Sequence, residues 1–141
     1  MTGVLVDSNV LLDVFTEDAS WFGWSSAALE AAADRSRLVI NAVVYAEASI
    51  RFSRIEEFEE ALPASVVDRE ALPFDAAFLA GKAFAAYRKR GGARSTTLPG
   101  FFIGAHAAVA GYELLTRDPA IYRTYFPRLT LITPEDAPRQ V

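Results

Sequence analysis

Short apolar runs alternate along the chain with longer stretches in which apolar residues recur every three or four positions. Runs at residues 3–6, 38–40, 65–67, 113–116 and 129–132 predict five strands. Helical periodicity covers about 9–15, 21–33, 42–54, 55–62, 74–90 and 99–110. Several ends are marked by their chemistry. Asn41 is a good N-cap before Ala42, Pro99 suits a first helical turn, and Gly91-Gly92 after Arg88-Lys89-Arg90 is a C-terminal stop. Strands alternating with helices predict an α/β fold, three layers deep, around a central and mostly parallel five-stranded sheet.

A chain of 141 residues reads as one domain, residues 1–141, with 134–141 as a terminal extension. Residues 91–98, rich in Gly, Ser, Thr and Arg, form the longest connection and read as a mobile functional loop. The hydrophobic fraction of 52% and charged fraction of 23% are those of a soluble globular protein. Neither a run long enough to cross a membrane nor a basic leader before the first strand is visible, so a cytoplasmic protein is expected. With no cysteine and one histidine, disulfides, thiolate metal sites and histidine-based triads are excluded or hard to assemble. Any bound metal must be held mainly by oxygen, which favours hard ions such as Mg²⁺ or Mn²⁺. The formal charge of −4 argues against a broad basic surface for nucleic acid, so a local patch would have to serve.

Three carboxylates carry the chemical interest. Asp7 follows the run Val4-Leu5-Val6, Asp118 follows Leu114-Leu115-Thr116 by one residue, and Glu47 lies a turn or two beyond the 38–40 run. Ligands of open α/β sheets bind outside the carboxyl ends of the strands, so acids at three such ends can meet in one cleft and would then require a cation. Each has a plainer reading alone. Asp7 or Asn9 can cap the helix at Val10, Asp118 before Pro119 can open a turn, and Glu47 can pair with Arg51 one turn on. Glu47 shares a face with Val43, Val44 and Ile50 and is expected to point at the core, where an unpartnered charge is costly.

Four segments together resemble a known family: Leu-Val-Asp-Ser-Asn-Val-Leu-Leu-Asp from Leu5, Val-Ile-Asn-Ala-Val-Val-Tyr-Ala-Glu from Val39, Leu-Pro-Gly-Phe-Phe-Ile-Gly-Ala-His-Ala from Leu98 and Leu-Leu-Thr-Arg-Asp from Leu114. In this order they look like a PIN domain, and more closely the VapC toxins of bacterial toxin–antitoxin pairs, from Gly3 to about Ile132. The resemblance implies a Mg²⁺- or Mn²⁺-dependent endoribonuclease. Asp7, Glu47 and Asp118 match the family's acids, with Thr116 and Asn9 assisting the metal and its water. It further implies an RNA substrate, a cognate VapB-like antitoxin over the acidic cleft, and a homodimer. The departure is Gly100, which stands where similar sequences carry a metal-ligating aspartate. Glycine near a helix start gives up the favourable dipole interaction of an acid and costs up to about 1 kcal/mol of helix stability relative to alanine. Together with the resemblance this implies that the position has lost its acid, either naturally or by an engineered substitution that silences a toxic nuclease, and a non-catalytic module that binds antitoxin or RNA is the alternative function.

Other residues carry two readings each. Arg88, Lys89, Arg90 and Arg94 are candidate phosphate contacts, although cations also favour a helix C-terminus; Arg117 and Arg123 are further phosphate candidates or solubilising charge. His106, three and four residues after Ile103 and Phe102, reads as a structural histidine on an apolar stripe. Trp21 and Trp24 suit either core packing or a partner surface. The Glu56-Glu57-Glu59-Glu60 cluster reads as a solvated face, and Phe78, Leu79 and Phe84 exceed what one core face needs. An aspartate-nucleophile phosphatase is disfavoured because Asn9 stands where its general acid would be.

Overall fold

A computed structural model describes residues 2–93 and 98–136. Among them five strands form one wholly parallel sheet: β1 (Gly3–Val6), β2 (Arg37–Ile40), β3 (Val67–Arg69), β4 (Glu113–Leu115) and β5 (Leu131–Ile132). Their spatial order is β3-β2-β1-β4-β5, with Leu5 beside both Val39 and Leu114. The order reverses at β1, so the gap between the ends of β1 and β4 is the topological switch point at which such sheets place their ligands. All four residues of β1 are buried, as expected of a central parallel strand covered on both faces.

Seven α-helices cover the sheet among the described residues: α1 (Ser8–Phe15), α2 (Phe22–Arg35), α3 (Ala42–Ala48), α4 (Ile55–Ala61), α5 (Phe74–Lys89), α6 (Pro99–Ala110) and α7 (Ala120–Tyr125). α1 packs with α2 and α3, and α6 packs with α5, α7 and α3. The three-layer α/β expectation holds, and the sheet is parallel throughout.

The differences from expectation have local causes. The third strand begins at Val67 because the Pro63 carbonyl accepts from the amides of Val66 and Val67, turning the chain where a strand was expected. The helix expected over 42–54 stops at Ala48 and tightens into a 3₁₀ turn, Ser49–Arg51. Phe52 is then extended and packs edge-on against Phe15 and Phe58, a cluster that a continued helix would not place there. Ile50 is consequently 79% exposed and shares no buried face with Glu47. α7 was not anticipated; its first turn follows Pro119, whose fixed φ suits a helix start. Gly92 has a steric reason: a Cβ there would enter the Tyr87 ring.

Candidate active site

The candidate site begins with the chain leaving β1. The Asp7 amide donates to Leu115 O, which fixes the end of β1 beside the end of β4, and Asp7 then caps α1 in an extended conformation. Its Oδ1 accepts from the Ser8 amide at 2.8 Å. Oδ2 accepts from the Thr116 hydroxyl at 2.9 Å, the Tyr122 hydroxyl at 2.8 Å and the Asn9 amide at 3.4 Å. The carboxylate is 5% exposed.

Glu47 reaches the same corner from α3. Asn41 caps that helix through a 3.0 Å bond from the Val44 amide, as its sequence position predicts. The Ser8 hydroxyl donates to Glu47 Oε1 at 2.8 Å, so Ser8 joins two acids through adjacent groups, its amide on one and its hydroxyl on the other. Among the described residues Glu47 makes no ion pair with Arg51. Asp118 lies at the rim, 70% exposed, with its amide donating to Thr116 Oγ1 at 3.1 Å. The Asn9 amide nitrogen lies 3.3–3.4 Å from Thr116 Oγ1 and from both Asp7 and Asp118. Asp7, Asn9, Thr116 and Asp118 therefore form one network, which Glu47 joins through Ser8.

Electrostatics gives the corner its character. Burial pushes the Asp7 carboxyl up from its ordinary value, against hydrogen bonds from Tyr122, Thr116 and Ser8, and Asp118 adds a further upward push. Burial also raises Glu47, with Asp7 contributing in the same direction. Arg117, a candidate phosphate contact, is engaged elsewhere: its Nε donates at 2.8 Å to the buried Asp13, its NH1 lies 3.5 Å from Asp118, and its guanidinium sits 5.4 Å from the Trp21 ring centre. No ion pair reaches Asp7 or Glu47 among the described residues. A buried acid and a half-buried one, neither with a positive partner among the described residues, make a corner that is short of one cation.

Gly100, the second residue of α6, faces this corner. A Cβ built there would lie 3.4 Å from the Tyr122 hydroxyl and 3.5 Å from Ile121 Cγ2, ordinary contact distances. Gly104, one turn later, is different: a Cβ there would come within 2.7 Å of the Phe126 ring and 2.9 Å of Tyr122 Cδ1. Glycine at 104 is required for α7 to close on α6, whereas glycine at 100 meets no packing need. Among the described residues no three His, Asp or Glu side chains converge closely enough to hold an ion unaided. The all-oxygen donor set and its missing positive charge nevertheless suit a hard divalent ion, since Mg²⁺ commonly takes only one or two carboxylates and completes its shell with water and substrate.

With this geometry in view, the family model described as PIN domain matches residues 4–127. The chain belongs to the PIN domain family. No curated protein sequence matches it at a significant level. Solved structures do. VapBC2 from Rickettsia felis, bound to a promoter DNA fragment, aligns with a TM-score of 0.69 and 17% identity over 94% of this chain and 98% of that one. VapBC-1 from nontypeable Haemophilus influenzae gives 0.69 and 17% over 94% and 98%. FitAcB from Neisseria gonorrhoeae gives 0.69 and 14% over 95% and 99%. At such identities these likenesses establish the shared fold.

Within the PIN domain the remaining candidates separate. Arg90 lies with its guanidinium 5.3 Å from the Tyr125 ring centre, Arg88 and Lys89 are exposed, and Arg94 falls outside the described residues. Arg123 pairs with Glu135 at 2.6 Å. His106 is fully buried and structural, as its stripe implied. Asn41 uses Oδ1 on Val44, so its Nδ2 donates to His106 Nδ1 at 3.1 Å, leaving Nε2–H to donate to Glu70 at 3.4 Å. One member of the expected solvated face is engaged: Glu59 accepts from Tyr45 and Arg69. Trp24 packs against the core.

Sequence reasoning missed three residues of the corner. Ser8 passed as a small polar neighbour of Asp7, Asp13 as the end of a motif, and Tyr122 lay in a segment with no assigned element. Burial and Asp7 together push the Tyr122 phenol far up, so it remains a donor. Its only trace in the sequence is a tyrosine four residues after a strand-end acid.

Proposed function

We propose that this PIN domain is a toxin-type endoribonuclease of the VapC kind, dependent on Mg²⁺ or Mn²⁺, whose metal affinity and turnover are weakened by glycine at position 100. The observation that carries the reading is the pair of a buried Asp7 and a half-buried Glu47, joined through Ser8, both pushed up, and neither paired with a cation among the described residues. Asp7, Glu47 and Asp118 would hold the ion, with Thr116 and Asn9 orienting Asp7 and Asp118. Such an ion, when bound, would lower the pKa of a coordinated water and offset charge on a phosphate, the chemistry that hydrolysis of an RNA phosphodiester needs. Gly100 marks where a further ligand is missing, and its space admits one.

The proposed partners follow from the same kinship. The structural relatives are complexes of VapBC and FitAcB, which supports a VapB-like antitoxin as partner of this chain. Phe74 and Phe78, 93% and 68% exposed on α5, support a homodimer face. Arg88, Lys89 and Arg90 at the end of the same helix are the proposed RNA contacts, with Arg94, which lies outside the described residues, and a cytoplasmic setting is where RNA and antitoxin would be met. No helix among the described residues is long and apolar enough to cross a membrane.

Cleavage of single-stranded RNA with Mn²⁺ tests the reading. Gly100→Asp should cut faster than the unaltered chain, and adding Asp7→Asn should abolish the gain. A Gly100→Asp chain that neither binds metal nor cuts any RNA sinks it. A second reading is favoured by the same glycine: the unaltered chain acts as a non-catalytic module that binds antitoxin or RNA. Calorimetric titration with Mn²⁺ separates them, because tight binding by the unaltered chain counts against the module.

A further inference from the structure

Both lone pairs of Asp7 Oδ2 are taken by short hydrogen bonds, and a third, longer contact crowds the same oxygen. Thr116 and Tyr122 approach at 2.9 and 2.8 Å, and Asn9 adds a third contact at 3.4 Å, while a carboxylate oxygen has two lone pairs. A cation can reach this oxygen only if a donor leaves. Thr116 is held by the end of β4 and by the bonds it accepts from Asp118 and Asn9. Tyr122 comes from α7, whose close seat on α6 depends on Gly104, and its hydroxyl has Asp7 as acceptor and the open Cβ position of Gly100 beside it.

We infer that Tyr122 is a latch on Asp7: its hydroxyl occupies the approach that a hard divalent cation would use, and Gly100 leaves it there because no carboxylate is present to draw the phenol away. The inference rests on the metal-dependent reading above and names the competitor that this chain has built into its site. An aspartate at 100 would start its side chain 3.4 Å from the hydroxyl and offer it a second acceptor, freeing Asp7 Oδ2. Tyr122 is thus a positioning residue, acting through Asp7.

The test is Mn²⁺ titration by calorimetry on four chains: unaltered, Tyr122→Phe, Gly100→Asp, and the two combined. Removing one hydrogen bond to a charged group should tighten Mn²⁺ binding about tenfold over the unaltered chain. In the Gly100→Asp background, where the phenol has another acceptor, the same change should give less than roughly threefold. Folding is checked by circular dichroism, and Tyr122→Met, similar in reach and lacking a donor, serves if phenylalanine packs poorly. A folded Tyr122→Phe chain that binds Mn²⁺ no tighter than the unaltered one, beside a Gly100→Asp chain that does bind, overturns the latch and spares the nuclease reading. No binding by any of the four overturns both.

Discussion

Replacing Asn41 by alanine should destabilise the protein by about 2–4 kcal/mol, although Asn41 belongs neither to the acidic corner nor to the apolar core. Two losses add. The first is the N-cap of α3, where the side chain accepts from the Val44 amide; such caps contribute about 1 kcal/mol. The second is the bond from Nδ2 to His106 Nδ1, an imidazole with no exposure, and a buried acceptor left without a donor costs about 1–3 kcal/mol. For a domain of this size the midpoint of thermal unfolding should fall by roughly 8–15 °C. Urea unfolding with an unchanged slope would confirm that native stability is what moved. Asn41→Ser keeps a capping oxygen but cannot reach His106, so it should lose the second contribution only. A loss below about 1 kcal/mol for Asn41→Ala, or equal losses for alanine and serine, would refute the two-part account.

Gly100→Asp should melt near the unaltered chain without metal, because gains of up to about 1 kcal/mol from helix propensity and dipole are offset by repulsion from Asp7. With Mn²⁺ at a hundred times its Kd the same variant should gain about 2.7 kcal/mol, visible as a rise of roughly 10 °C; identical melts with and without Mn²⁺ would count against an ion site there. Asp7 and Glu47 have raised folded-state values, so their contribution to stability is fully present below the ordinary 3.8 and 4.5 and is lost as pH rises through the raised values. Glu59, held low by Tyr45 and Arg69, acts oppositely, but only below its ordinary 4.5. Metal-free melts should therefore decline as pH rises above the ordinary 4.5, and Asp7→Asn should flatten that slope; parallel slopes would exclude Asp7 as a source. Arg117→Ala leaves the buried Asp13 carboxylate with only Ser25 as hydrogen-bond donor among the described residues and should cost about 2 kcal/mol, little changed by salt, in urea denaturation. Replacing Lys89 and Arg90 by alanine should make the slope of log K for RNA against log salt shallower by about 1.4, and an unchanged slope removes them from the interface.

Much of this arrangement was legible in the residues because the relevant physics is local. Asn41 before an apolar period and Pro99 at a first turn fix two helix starts, and the starts the structure shows are the ones expected. The buried β1 likewise follows from an uninterrupted apolar run. What escaped depended on contacts distant in sequence. Nothing near Val66 says that Pro63 will turn the chain there, and nothing near Ile50 says that Phe52 must reach Phe15. Asp7, Asn9, Thr116 and Asp118 could be chosen as acids and polar groups at strand ends, but the Ser8 bridge to Glu47 and the Tyr122 bond to Asp7 arise only when α3 and α7 close on the switch point. Arg117 illustrates the converse: its sequence neighbour Asp118 suggested a phosphate contact, and its buried partner Asp13 lies on α1.

The overall negative charge and the proposed RNA substrate are reconciled by where the cations sit. α5 ends in Arg88-Lys89-Arg90, and aromatic contacts carry that end to the start of α6: Arg90 lies over Tyr125, Tyr125 meets Phe101 edge-on, and Tyr87 packs on both rings. Phe101 is the residue after Gly100. A basic and aromatic corner is therefore linked to the start of α6, where Gly100 faces the acids, through one packed cluster. Phosphate attraction decays over about 8 Å at physiological salt, so cations at this corner act on a bound strand while acids spread over the rest of the surface are largely screened. The distribution of charge decides whether this fold can hold RNA, and the sum along the chain does not.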